Sequence, residues 1–199
     1  EDNLLHNIEM VQIILDPDDD ANTAFSKLNY LGIPLSVADL VRNDVFSRLS
    51  SEEPAEADKF YRDRWLPFER SFPNDTFEQY VPIYALIRFG GNCTKAQVFP
   101  KLQKSWEKKT AFQVLRELGM YADLFASLVD FEPIPGFHKD VNAQIRRLSM
   151  MPRTTVTWPY ILQVLLNFRQ GKISKKQACE ALKIVESFLV RRAINGLEP

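Results

Sequence analysis

The stretch FSKLNYLGIPLSVADLVRN, residues 25–43, decides the fold prediction because it has the pattern of two consecutive helices joined by a short turn. Phe25 and Leu28 have the three-residue spacing of neighbours on one helix face. Gly32 is suited to the left-handed conformation that closes a helix, and the proline two positions later prevents the helix from continuing. The stretch therefore predicts a helix–turn–helix unit.

Ser36 begins the second helix with the capping-box pattern Ser-Val-Ala-Asp. In such a box the serine hydroxyl accepts a hydrogen bond from the amide of Asp39, and the Asp39 carboxylate reaches back to the serine amide. Arg42 follows Asp39 by three residues on the same helix face, so an ion pair between them is predicted. This helix is expected to run to about Leu49.

Asn29 lies at the end of the first helix, and its residue type has two interpretations. Either its side chain caps the helix, or it points into whatever the turn faces and contacts a ligand there. The residues alone leave both interpretations open.

The rest of the chain predicts further helices and one strand. Residues 8–15, IEMVQIIL, are aliphatic and β-branched and predict a buried strand, which the acidic turn DPDDD ends. The predicted fold is mainly all-α: a bundle of about eight or nine helices with one N-terminal strand or extended arm. Residues 1–16 are assigned to that strand or arm, left from a preceding domain, and residues 17–199 to a helical domain.

Several of these helices are predicted in more detail. Pro82, inside the predicted helix 75–89, implies a kink or a late start, and Thr94 and Ser174 are predicted caps. One continuous helical stripe is predicted from Val114, Leu118, Tyr121, Ala122, Phe125, Leu128 and Val129. The stripe of the last helix is predicted from Ala178, Ala181, Leu182, Val185, Phe188 and Leu189.

Composition and motifs exclude several function classes. The net charge is −1, so no overall basic field attracts nucleic acid. Two cysteines and two histidines have no zinc spacing, DPDDD does not fit a calcium loop, and no metal is predicted. The sequence has no phosphate-binding glycine loop, no catalytic nucleophile motif and no apolar run of membrane-spanning length. The acidic start EDNLLHNIEM is not a signal peptide and lacks an initiator methionine, so we expect a cytoplasmic piece of something longer.

Two sets of residues have a functional and a structural interpretation. Lys101, Lys104 and Lys108 are spaced to share a helix face, which either contacts nucleic-acid phosphates or is simply solvated; the solvated interpretation is favoured. Further basic clusters are Arg146, Arg147 and Arg153; Lys172, Lys175 and Lys176; and Arg191 and Arg192. An aromatic set is interpreted as core packing rather than base stacking: Trp65, Phe68, Phe72, Phe77, Tyr80 and Tyr84.

The stretch 25–43 resembles the ParB-like N-terminal family of GmrSD-type, modification-dependent restriction endonucleases. The pattern that carries the resemblance is Phe-x-x-Leu-Asn-x-x-Gly-x-x-Leu-x-x-x-Asp-Leu-x-x-Asn, formed by Phe25, Leu28, Asn29, Gly32, Leu35, Asp39, Leu40 and Asn43, with Arg42 at a typically basic position. The ending FLVRRAING, residues 188–196, is similar to the close of that family's helical region. The resemblance therefore brackets most of the chain.

The resemblance implies that the chain is the helical part of a protein that binds and hydrolyses nucleoside triphosphates. The family's Asp-Gly-Gln-Gln-Arg motif and its HNH nuclease motif are not in this sequence, so this piece is expected to be inactive alone. Asn29 would face a nucleotide site completed by a missing N-terminal domain, with Arg42 and Asn43 as supporters. The implied partners are that domain, a C-terminal nuclease domain and DNA, with no membrane. The alternative is a non-catalytic helical protein-interaction module.

Overall fold

The computed structural model describes residues 35–49, 54–151 and 154–196, and this part of the chain is helical with no strand. The chain divides at Ser36 into two units, and the unit treated below is Ser36–Pro199. The predicted mainly all-α class is confirmed for the described residues. The strand predicted at 8–15, the boundary at 16/17 and the helix that carries Phe25, Leu28, Asn29 and Gly32 lie outside them.

The α-helices of the described residues are connected by short turns. They are α1 (Val37–Ser47), α2 (Pro54–Phe60), α3 (Leu66–Arg70), α4 (Phe77–Phe89), α5 (Val98–Trp106), α6 (Ala111–Leu118), α7 (Ala122–Asp130), α8 (Lys139–Ser149), α9 (Trp158–Arg169) and α10 (Lys175–Ile194). A π-helical turn, Tyr61–Trp65, joins α2 to α3, and the amide of Leu66 donates to the carbonyl of Tyr61. Short 3₁₀ turns are Pro73–Asp75, Gly90–Asn92, Lys95–Gln97 and Thr154–Thr157.

The start of α1 confirms the predicted capping box. The amide of Asp39 donates to Ser36 Oγ at 3.1 Å, and the amide of Ser36 donates to Asp39 Oδ2 at 3.3 Å. At the other end of α1, Arg48 pairs with Asp44 at 2.8 Å and donates to the carbonyls of Trp106 and Lys109. These two carbonyls lie at and just beyond the C-terminus of α5, so Arg48 satisfies acceptors there and fixes α1 against α5.

The core is aromatic around the start of α4. Trp65, Tyr80 and Tyr84 are buried, and the rings of Phe72 and Tyr80 lie 4.9 Å apart. The interpretation of the aromatic set as core packing is therefore confirmed. Pro82 is inside α4, which starts at Phe77, two residues after the predicted start.

Three details of the prediction are wrong. The stripe from residue 114 to 129 is not one continuous helix, because the chain turns at Gly119 between α6 and α7. Lys108 does not share a helix face with Lys101 and Lys104, because α5 ends at Trp106 and Lys108 lies in the following turn. Phe188 is 45% exposed and lies outside the buried stripe of α10.

Helices α8 and α10 pack along each other and close the C-terminal end of the fold. Val141, Ile145 and Leu148 of α8 are buried, as are Ala178 and Leu182 of α10. Ser174 caps α10 as predicted, in a capping box with Gln177. This pair of helices also brings together basic residues that are far apart in the sequence.

Candidate functional site

The predicted motif residues of α1 border a groove of about 650 Å³, called here the Arg42 groove. Residues from α1, from α3 and from the turn before α4 form its walls. The groove is lined by Ser36, Ala38, Asp39, Arg42, Glu69, Arg70, Phe72, Asn74, Asp75, Phe77 and Glu78.

Arg42 lies between two carboxylates in this groove. Its Nη1 donates to Asp39 Oδ1 at 2.7 Å, which confirms the predicted pair, and its Nη2 donates to Glu69 Oε1. The other oxygen of Glu69 accepts a hydrogen bond from Trp65 Nε1 at 3.2 Å. Arg42 therefore links the first turn of α1 to α3, and Glu69 in turn links α3 to the aromatic core.

The pKa of Arg42 reflects this double pairing. Burial alone would lower the pKa, but the hydrogen bonds and negative charges of Glu69 and Asp39 outweigh it and raise the pKa above the ordinary arginine value. The guanidinium is thus permanently charged, and both of its terminal nitrogens already donate a hydrogen bond to a carboxylate. A phosphate that approached Arg42 would have to compete with both carboxylates.

The balance of charge in the Arg42 groove is acidic. Among the described residues, four carboxylates line it, and two guanidinium groups oppose them, from Arg42 and Arg70. Asn74 and Asp75, in the turn at its edge, both have positive φ angles, 49° and 56°. Two successive left-handed non-glycine residues are a costly conformation that the packed surroundings must hold.

The structure brings together some of the predicted site residues and separates others. Ser36, Asp39 and Arg42 meet in the Arg42 groove. Asn43 is half-buried on α1 but does not line the groove, and Leu35 is half-buried. Asn29 lies outside the described residues.

Glu69 is a partner of Arg42 that the sequence did not predict. It is 27 residues from Arg42 in the chain, and no spacing rule connects the two. The one available signal was the i, i+4 relation between Trp65 and Glu69, which places the carboxylate beside the indole.

The three lysines of the predicted face are not all exposed. Lys104 and Lys108 are exposed, and Lys101 is half-buried. Within residues 35–49, 54–151 and 154–196, no three His, Cys, Asp or Glu side chains are grouped so that they could hold a metal ion. A search of the same part of the chain finds no helix with the length and apolar character needed to cross a membrane.

Comparison of the chain with protein family models, with curated proteins and with solved structures finds no match.

Proposed function

We propose that this chain is the helical, non-catalytic part of a GmrSD-like defence protein of the cytoplasm, and that it supports a nucleotide site completed by a preceding domain. The resemblance of residues 25–43 to that family suggests the parent protein. The observation that carries the proposal is the bridge that Arg42 makes between Asp39 and Glu69. Through it, the motif helix α1 is fixed to α3 and to the buried indole of Trp65.

In this proposal Arg42 is a structural brace, and the nucleotide contact belongs to Asn29. Arg42 already donates to two carboxylates, so it has little to offer a phosphate. Asn29 stands seven residues before Ser36, which begins the braced helix, and supplies one donor and one acceptor through its amide. The brace would stabilise the start of α1, and the contact to the nucleotide would belong to the stretch that precedes it.

A comparison of two variants tests this division of roles in the longer protein that the resemblance implies. Asn29→Ala should leave the melting temperature nearly unchanged and weaken nucleotide binding by about tenfold or more, as the loss of one or two directed hydrogen bonds would. Arg42→Ala should lower the melting temperature and leave the nucleotide affinity of the folded protein within about twofold. The measurements are thermal melting and nucleotide titration for each variant. Normal nucleotide binding by Asn29→Ala, or lost binding by an undisturbed Arg42→Ala, contradicts the proposal.

The chain alone should be folded and strongly helical, and it should not hydrolyse nucleoside triphosphates above the blank. Catalysis of phosphoryl transfer needs groups positioned around the phosphates, and the family's motif for them is not in this sequence. Hydrolysis that co-purifies with the chain and disappears in Asn29→Ala would refute this expectation.

DNA binding is expected to be weak and sensitive to salt, because the net charge is −1.

The second candidate function is a helical protein-interaction module, and the acidic excess of the Arg42 groove favours it. A groove with four carboxylates and two guanidinium groups complements a basic segment of a partner rather than a phosphate. The test is titration with a lysine-rich peptide at two salt concentrations. Binding that weakens in Glu78→Gln and in high salt supports this function, whereas binding unaffected by either change speaks against it.

A further inference from the structure

A second groove, of about 520 Å³, lies between α8 and α10, and we call it the Arg147 groove. It brings together basic residues from two clusters that lie about thirty positions apart in the sequence. Its cationic lining residues are Arg147, Lys175, Lys176 and Lys183. Its lining carboxylates are those of Asp140 and Glu180, so among the described lining residues the positive charges exceed the negative charges by two.

Each of the two carboxylates forms an ion pair with one lysine, so two of the four cations remain without a carboxylate partner among the described residues. Lys175 Nζ lies 3.1 Å from Asp140 Oδ2, and Lys176 Nζ lies 4.0 Å from Glu180 Oε1. Within the described part of the chain, neither Arg147 nor Lys183 forms an ion pair with a carboxylate. The excess charge of the groove is therefore concentrated on these two side chains.

Arg147 is held in place by a buried amide instead of a carboxylate. Its Nη2 donates to Gln144 Oε1, and Gln144 Nε2 donates to Glu186 Oε2. Gln144 is only 1% exposed, and its hydrogen bond to Glu186 joins α8 to α10. This arrangement fixes one nitrogen of the guanidinium and leaves its other donors available to a ligand in the groove.

Besides Arg147 on α8, the groove presents positive charge from lysines of α10. Lys176 and Lys183 are seven residues apart, which is about 10.5 Å along the helix axis. Cys179 lies between them, half-buried in the groove wall. A ligand there meets positive charge along its length, so a molecule with several anionic groups fits better than a single anion.

We propose that the Arg147 groove binds a small, freely diffusing ligand that carries two or more phosphate groups. Arg147 recognises one phosphate with its free donors, and Lys183 neutralises another. The volume of the groove is in the ordinary range for small-molecule sites. This site is separate from the nucleotide site proposed above, and it uses none of the same residues.

A small polyphosphate fits the groove better than a nucleic acid does. Among the described residues no aromatic side chain lines the Arg147 groove, so these residues offer no surface on which bases could stack. The chain as a whole carries a net charge of −1 and has no general field to attract an extended polyanion. The recognition would therefore depend on the phosphates themselves and on the local excess of two charges.

The test is calorimetric titration of the whole chain with tripolyphosphate at constant ionic strength, with orthophosphate and a single-stranded oligonucleotide as parallel probes. We expect saturable binding of tripolyphosphate with one site, and binding of orthophosphate at least about tenfold weaker because it meets fewer cations. Arg147→Gln and Lys183→Gln should each weaken tripolyphosphate binding by about tenfold or more. The control Lys59→Gln makes the same change of charge at an exposed residue of α2 and should alter binding by less than about twofold.

The thiol of Cys179 provides an independent readout of the same site. Cys93 is buried, so a thiol reagent should label Cys179 first, and bound tripolyphosphate should slow that labelling. Circular dichroism checks that each variant is folded before its binding is interpreted. Absence of saturable binding, equal loss in Lys59→Gln, unchanged labelling of Cys179, or binding of the oligonucleotide alone would each overturn the proposal.

Discussion

The Arg42 groove and the Arg147 groove both contain arginines and carboxylates, yet their charges are arranged in opposite ways. In the first, Arg42 lies between Asp39 and Glu69, and carboxylates outnumber cations. In the second, Arg147 is held by the neutral amide of Gln144, and cations outnumber carboxylates. An arginine paired with two carboxylates has fewer donors left for a ligand, whereas an arginine positioned by a neutral amide keeps its charge for one.

The comparison shows that the number of basic residues in a stretch of sequence does not identify an anion site. Arg42 stands where the resemblance of residues 25–43 expects a basic residue, but it already donates to the carboxylates of Asp39 and Glu69. Arg147 belongs to a cluster with no motif, and it is the better placed of the two for a phosphate. The partners of each cation decide its role, and those partners come from other helices.

The largest expected effect comes from Trp65, whose indole donates to Glu69 of the Arg42 groove. Trp65 is fully buried, and its ring packs 5.5 Å from Phe46 and 5.9 Å from Phe77. Trp65→Ala should lower the free energy of unfolding by about 3–5 kcal/mol. Cys179→Ala, in the wall of the Arg147 groove, should cost less than about 1 kcal/mol because the side chain is small and half-buried. Urea denaturation measures both, and similar losses would mean that the two grooves do not differ in structural importance.

The next effect compares one cation from each groove. Arg42→Ala removes the partner of Asp39 and Glu69 and should cost about 1–2 kcal/mol, a value kept low because the arginine side chain is 38% exposed. Lys183→Ala breaks no ion pair and should stay within about 0.5 kcal/mol. The measurement is the denaturation midpoint at low and high salt, and the Arg42 effect should shrink with salt. A larger loss from Lys183→Ala than from Arg42→Ala would reverse the comparison.

The two serine caps give a smaller and more specific effect. Ser36→Ala and Ser174→Ala should each cost about 1 kcal/mol, since each serine caps a helix through a capping box. Ser36 Oγ also donates to Asp39, at 2.9 Å, and Asp39 pairs with Arg42, whereas Ser174 pairs with the neutral Gln177.

Double-mutant cycles should therefore separate the two caps. Ser36→Ala combined with Arg42→Ala should show a coupling energy of about 0.5 kcal/mol or more, while Ser174→Ala combined with Lys183→Ala should be additive within about 0.5 kcal/mol. Additivity at the first pair would show that Asp39 does not connect the cap to the arginine.

The smallest effect is a shift in the titration of Asp140 at the Arg147 groove. The hydrogen bond from Lys175 lowers the pKa of this exposed carboxyl. Because the folded state favours the charged form, the small stabilisation is present above the unfolded pKa of about 3.9 and is lost as pH falls through the lower folded pKa. The carboxyl carbon resonance of Asp140 followed by NMR should show a midpoint below that of an ordinary aspartate. In Lys175→Ala the midpoint should move up, and an unchanged midpoint would contradict the pairing.

The local parts of the fold could be predicted from the sequence because they depend on neighbours in the chain. The capping box at Ser36 and the pair of Asp39 with Arg42 are three-residue relations, and both are confirmed. The stripe from residue 114 to 129 had helical spacing throughout, but the turn at Gly119 breaks it while keeping all of its residues except Val129 buried. Periodicity reports which residues are buried and is blind to a turn that preserves the pattern.

The site could be predicted only in part, because its charges are paired across helices. Glu69 contacts Arg42 from 27 positions away, and Gln144 joins Glu186 across 42 positions. Such pairs depend on how α1 meets α3 and how α8 meets α10, which no local spacing contains. The prediction for Lys108 was wrong for a different reason: it assumed that helical spacing continues past Trp106, where α5 ends.

The π-helical turn Tyr61–Trp65 has a consequence for the deletions that this part of the chain can tolerate. Such a turn has the effect of one inserted residue in an α-helix, and each helical residue rotates the chain by about 100°. A deletion of one residue here would restore a regular helix but rotate α3, carrying Glu69 away from Arg42. The insertion therefore sets the register of every later contact of α3, and a related sequence can lose it only by giving up the Arg42 bridge.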